Sequence, residues 1–77
     1  RFKQPAACYV AERVWSDGQK LTPRRDGSLD LQFTATSQPE VISWVLSFGR
    51  EAELLEPADL RQQIAAICKE ISGVYLP

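Results

Sequence analysis

Apolar residues recur along this chain with two different periods, and the changes of period mark out its elements. From Ser28 to Thr36, Leu29, Leu31, Phe33 and Ala35 alternate with Ser28, Asp30, Gln32, Thr34 and Thr36, the repeat of a strand covered on one face. From Val41 to Phe48 the repeat lengthens. At ~100° per residue Val41, Ile42, Trp44, Val45, Leu46 and Phe48 share one arc of roughly 200°, opposite Glu40, Ser43 and Ser47, which predicts a helix covered on more than one side. A second long helix is expected from Pro57 to about Gly73. Its stripe is Leu60, Ile64, Ile67, Cys68, Ile71 and Tyr75, with Arg61, Gln62, Lys69 and Ser72 facing away or flanking it.

Turn and cap residues set the boundaries. Ser37 with Glu40 fits a capping box, and Pro39 sits where a first-turn N–H has no partner, so the middle helix should start at about Gln38. Gly49 can close it in the left-handed conformation, and Ala52 to Glu56 then reads as a short strand stopped by Pro57. Asp59 complements the macrodipole of the last helix. Asp26-Gly27 is a hairpin signal of the type I′ kind, with positive φ at both positions, and it joins the Ser28–Thr36 strand to a weaker one over Gln19–Arg25. In that weaker strand only Leu21 is strongly apolar, and Pro23 confines it to an edge or a bulge.

Pro5 to Trp15 is ambiguous, because its alternation is not clean although Tyr9, Val10, Val14 and Trp15 favour strands. Pro5 at a first helical position, followed by alanines, favours a short helix from about Pro5 to Glu12, and Asp17-Gly18 turns the chain after it. Arg1 to Gln4 is too short to read.

The run W-V-L-S-F-G (44–49), a short strand, and L-L-E-P-A-D-L-R (54–61) at the head of a helix resemble the WCX domain, the C-terminal extension of bacterial WYL-type transcriptional regulators. P-A-A-C-Y-V-A-E-R-V-W-S-D-G-Q (5–19) and D-G-S-L-D-L-Q-F-T-A-T (26–36) are similar to the family's patterns, so the resemblance runs from about Phe2 to Tyr75. It implies an upstream helix-turn-helix that binds DNA and a WYL domain that senses a ligand, both in the same polypeptide. It also implies that Phe2 lies near the end of a first strand, so that the chain begins inside that strand or just after it. The order is then (strand), helix, strand, strand, helix, strand, helix. This is an α+β, ferredoxin-like split β-α-β fold, its first strand truncated or missing, with an additional C-terminal helix. A truncated first strand deprives Ala52–Glu56 of its natural partner, and unpaired backbone groups invite pairing by another chain. A two-fold dimer is therefore expected.

Composition narrows the chemistry. Seventy-seven residues make one domain, 1–77, and at 44% hydrophobic and 25% charged it is of ordinary globular composition, with one small core. No apolar run approaches the ~20 residues of a membrane span, and a cytoplasmic setting is expected. A net charge of −1 disfavours phosphate binding by the domain as a whole, so DNA is expected to be met only through the parent protein. There is no histidine, no nucleophile or phosphate-loop motif, and only two cysteines, Cys8 and Cys68, which read as small core residues. No catalytic residue, metal or cofactor is expected. Of the carboxylates Glu51, Glu53 and Glu56, Glu51 and Glu53 at strand spacing beside solvent read as a solvated face and not as an acid/base pair.

The candidate ligand-binding residues are Lys20, Arg24 and Arg25 on the hairpin, which offer donors to phosphate or carboxylate and equally defend an exposed strand edge. Trp44 is expected in the core. Trp15, just before a turn, reads either as core rim or as an interface anchor. Two functions of different class follow: a non-catalytic accessory domain of a regulator, serving oligomerisation and effector response, or a free-standing small-molecule-binding or adaptor module on the same scaffold.

Overall fold

A computed structural model describes residues 1–76, and its architecture is α+β, a truncated ferredoxin-like arrangement. The elements are α1 (Ala6–Ala11), β1 (Lys20–Pro23), β2 (Leu29–Gln32), α2 (Gln38–Ser47), a 3-10 turn over Gly49–Glu51, and α3 (Ala58–Tyr75). The two strands pair antiparallel, with Lys20 opposite Gln32 and Pro23 opposite Leu29. Phe2 carries the sheet onward, bridging Leu29 on one side and Ala52 on the other. The strand order is thus β1, β2, the Arg1–Lys3 segment, then the residues around Ala52, which is the order of a split β-α-β sheet with a very short first strand.

Several expectations are corrected. The turn is not type I′: Asp26 has negative φ, Gly27 alone is positive at 88°, and Gly27 N–H donates to Arg24 C=O over 3.1 Å while Arg24 N–H donates to Ser28 C=O over 2.9 Å. That is a three-residue loop built on a type I turn with glycine at its left-handed position. Asp26 keeps its ordinary backbone because its carboxylate accepts from Ser28 N–H at 3.0 Å and Ser28 Oγ–H at 2.5 Å. The strand expected through Thr36 stops at Gln32, since neither β1 nor the Arg1–Lys3 segment reaches far enough to pair with Phe33–Thr36, and Ala35 is exposed. Ala52–Glu56 is likewise not a strand but a single bridge, with only Arg1 and Phe2 to pair with.

The helices start where the cap signals place them. Ser37 Oγ accepts from Glu40 N–H at 3.4 Å at the head of α2, and Gly49 follows it with φ 60°. The first turn of α1 is completed from a distance, because Glu51 Oε1 accepts from Ala6 N–H at 3.1 Å. Glu51 is therefore a half-buried cap and not part of a solvated face. α3 runs through Gly73 to Tyr75, two residues beyond the expected stop.

The core lies between the sheet and the first two helices. Phe2, Ala6, Ala7, Val10 and Leu29 form its buried centre, with Val10 at 0% exposure. Trp44 lies beside them as expected, with the rings of Phe2, Trp15, Phe33 and Phe48 centred 4.8–5.7 Å away. Trp15 is core rim: its indole N–H donates to Val10 C=O over 3.1 Å. Cys8 and Cys68 are both exposed, against expectation, because each lies on the outward side of its helix.

Candidate functional site

The hairpin separates the three predicted cations. Lys20 opens β1 and Arg24 leaves it, so at ~3.3 Å per residue they stand roughly 13 Å apart, whereas Arg24 and Arg25 are adjacent at the exposed turn. Arg24 Nη1 lies 3.7 Å from Asp30 Oδ2, and the three pairs among the described residues leave Arg25 with none. Arg25 thus offers an anion an unengaged guanidinium beside the one that Arg24 shares with Asp30, while Lys20 faces a different feature.

That feature is a groove of about 810 Å³ across the sheet. One wall is β2 and its continuation from Leu31 to Ala35; the other is the stretch from Ala52 to Pro57. Trp44, Val45 and Leu60 form an apolar floor, and Lys20, Thr22 and Asp30 line the opposite face of the same sheet. Being lined from both faces, it is a gap between strands and not a hollow upon one.

Arg1 closes one end of the gap. Its Nε donates to Asp30 Oδ1 at 2.8 Å and its Nη2 to Asp30 Oδ2 at 3.2 Å, a two-point fork. This hydrogen-bonding holds the Asp30 carboxyl below its ordinary pKa and the Arg1 guanidinium above its own, against the opposing pull of desolvation. The Arg1 α-ammonium donates to Glu53 C=O over 2.9 Å, and burial lowers its pKa despite the nearby Asp30 charge. On the far wall Arg61 Nη1 donates to Glu53 Oε2 at 2.7 Å and Leu54 C=O at 2.9 Å, pinning the Glu53–Leu54 backbone to α3 and depressing the Glu53 carboxyl.

Such an arrangement presents backbone groups and apolar side chains; among the described residues no cluster of acidic residues and cysteines is placed to hold a metal ion, and no helix is long and apolar enough to cross a membrane. Sequence reasoning misses Arg1, because four residues show no period. It gives Asp30 only as the polar half of an alternation, although an acidic residue in mid-strand is a usable sign of a cross-strand cation.

Among protein families, the WCX domain model matches residues 1–72. No curated protein and no solved structure matches the chain.

Proposed function

The chain belongs to the WCX domain family, and from that premise we propose that it serves as a non-catalytic C-terminal accessory domain of a bacterial WYL-type, helix-turn-helix regulator, supporting oligomerisation and effector response. The observation that carries the assembly role is the second half of α3. Leu60, Ile64, Ile67, Ile71 and Val74 recur at alternating steps of four and three, the spacing of a helix-pairing seam. Leu60 is buried and Ile64 and Ile67 are half-buried against the body, but Ile71 is 45% exposed, Val74 73% and Tyr75 78%.

A second copy is the occupant this seam fits. Antiparallel pairing about a two-fold axis sets Ile67 against Ile71 of the partner subunit, and Ile71 against the partner's Ile67, so each chain supplies both layers. The exposed turn carrying Arg24 and Arg25 supports an effector role directed at an anionic group, with DNA contacted through the upstream domains of the parent.

Size-exclusion chromatography with light scattering tests the assembly role. A dimer at ~100 μM that Ile71→Asp converts to a folded monomer is expected, with a melting temperature that rises with concentration in the unsubstituted chain. A monomer at that concentration with a cooperative, concentration-independent melt overturns it.

A further inference from the structure

A separate hollow, of about 420 Å³, opens where the chain leaves β2 and enters α2. Its walls are three aromatic rings. Trp44 stands in the middle, with the Trp15 ring centred 4.8 Å away and tilted by 55°, and the Phe33 ring centred 5.7 Å away and turned by 81°. Rings set at such angles cover only part of one another, and all three are half-buried, so aromatic surface stays open to the hollow. Thr34, Thr36 and Glu40 are exposed at its margin.

The charge this hollow accepts follows from which of its groups are already engaged. The first turn of a helix ordinarily attracts anions through its free N–H groups. At the head of α2 that capacity is largely used: Pro39 has no N–H, Glu40 N–H donates to Ser37 Oγ at 3.4 Å, and Val41 N–H donates to Ser37 C=O at 3.2 Å. No lysine or arginine lines the hollow, and the Glu40 carboxylate is the one charged group that does. The ion pairs among the described residues leave Glu40 without a cation. Nearby, Arg13 sits 3.6 Å over the ring of Tyr9, and neither residue lines the hollow. A ring face carries the negative part of the aromatic quadrupole and Glu40 adds a full negative charge, so both favour a cation.

We propose that this hollow binds a small organic cation of the quaternary or methylated ammonium class, its methyl groups resting on Trp15, Phe33 and Trp44 while Glu40 balances its charge. A metal ion or a bare ammonium is strongly hydrated, and aromatic rings offer no lone pairs to replace the water it loses. An alkylated ammonium holds water weakly and brings apolar surface to match the rings. The site shares no residue with the Arg24–Arg25 turn or with the seam of α3, and the inference rests on neither.

Titrating the whole chain at constant ionic strength with choline, and with the uncharged alcohol in which carbon replaces its nitrogen, tests this. Trp15 and Trp44 are the only tryptophans, so intrinsic fluorescence reads the hollow directly. Choline is expected to change the emission saturably and to bind about tenfold or more tighter than the alcohol, the margin a desolvated cation–π contact supplies. Glu40→Gln should weaken choline by about threefold or more and leave the alcohol unaffected. Because Glu40 is exposed and glutamine serves equally in a capping box, that variant keeps its fold. Phe33→Leu should also weaken choline, by removing one wall; if it unfolds, Glu40→Gln decides alone. Equal binding of choline and the alcohol, or no saturation by ~50 mM choline, overturns the proposal. A choline affinity that Glu40→Gln leaves unchanged also overturns it, since the ion then lies elsewhere.

Discussion

The first and second halves of α3 carry one continuous apolar stripe, yet they meet opposite surroundings. Leu60 is 5% exposed, at the base of the helix, where Arg61 also ties the Glu53–Leu54 backbone to it. Four turns later Val74 has almost no cover. The two halves differ in little but position, so what separates them is how far the body extends beneath. Helical periodicity reports that a face wants covering; it does not say by what. A stripe that outruns the body beneath it leaves apolar surface open to a partner, in the same sense as an unpaired strand edge.

Truncating each half in turn gives the largest contrast. Leu60→Ala should cost about 2–4 kcal/mol, as for a leucine packed in a core, whereas Val74→Ala should change the stability of the monomer by less than ~0.5 kcal/mol. Urea unfolding of both variants in the Ile71→Asp background, so that only monomer is compared, measures the difference directly. Equal losses would erase the distinction between the halves.

Acid should sharpen it, more modestly. Asp26, Asp30 and Glu53 all have carboxyl groups held below their ordinary pKa, chiefly by hydrogen bonds from Ser28, Arg1 and Arg61 respectively. A carboxyl depressed in the folded state stabilises it above the unfolded pKa, near 4, and that contribution is lost as pH falls through the folded value. Stability should therefore be level from about pH 7 to 5 and fall below about pH 4. Because Glu53 anchors the base of α3, amide exchange in its first turns should quicken before the distal turns respond. Glu53→Gln should flatten part of this acid dependence.

The smallest effect on stability belongs to the hairpin turn, which is exposed like the tip of α3, though less so, and polar. Arg24→Ala with Arg25→Ala should leave the melting transition within ~0.5 kcal/mol of the unsubstituted domain, while abolishing the response of the intact regulator to an anionic effector. An unchanged response with unchanged stability would reduce the pair to guards of an edge strand.

Elements with strong local signals are legible in the amino-acid sequence. Ser37 and Pro39 place the start of α2 at Gln38, and the Leu29/Leu31 alternation places β2, because caps and short periods depend on neighbours in sequence. What fails depends on distant neighbours. Phe33–Thr36 and Ala52–Glu56 have the composition of strands, but a strand exists only with a partner, and the one between them is two or three residues long. Glu51 looks solvated because nothing local shows that Ala6, 45 positions earlier, needs its carboxylate. Of the site, the hairpin cations are visible as a charge run, though not the distance between Lys20 and Arg24. The groove is legible only as an inference from a missing strand, and its closing fork from Arg1 to Asp30 is not.

The anchoring of α3 at its base has a mechanical side. Arg61 grips the groove wall near one end of an 18-residue helix whose tip, at ~1.5 Å per residue, lies roughly 20 Å beyond it. That makes the helix a lever with its fulcrum on Glu53 and Leu54. Over that length a tilt of about 15° at the fulcrum corresponds to about 5 Å at the tip, roughly one helical turn. The contacts at Glu53 and Leu54 thus fix the direction of the whole helix, tip included, from one end.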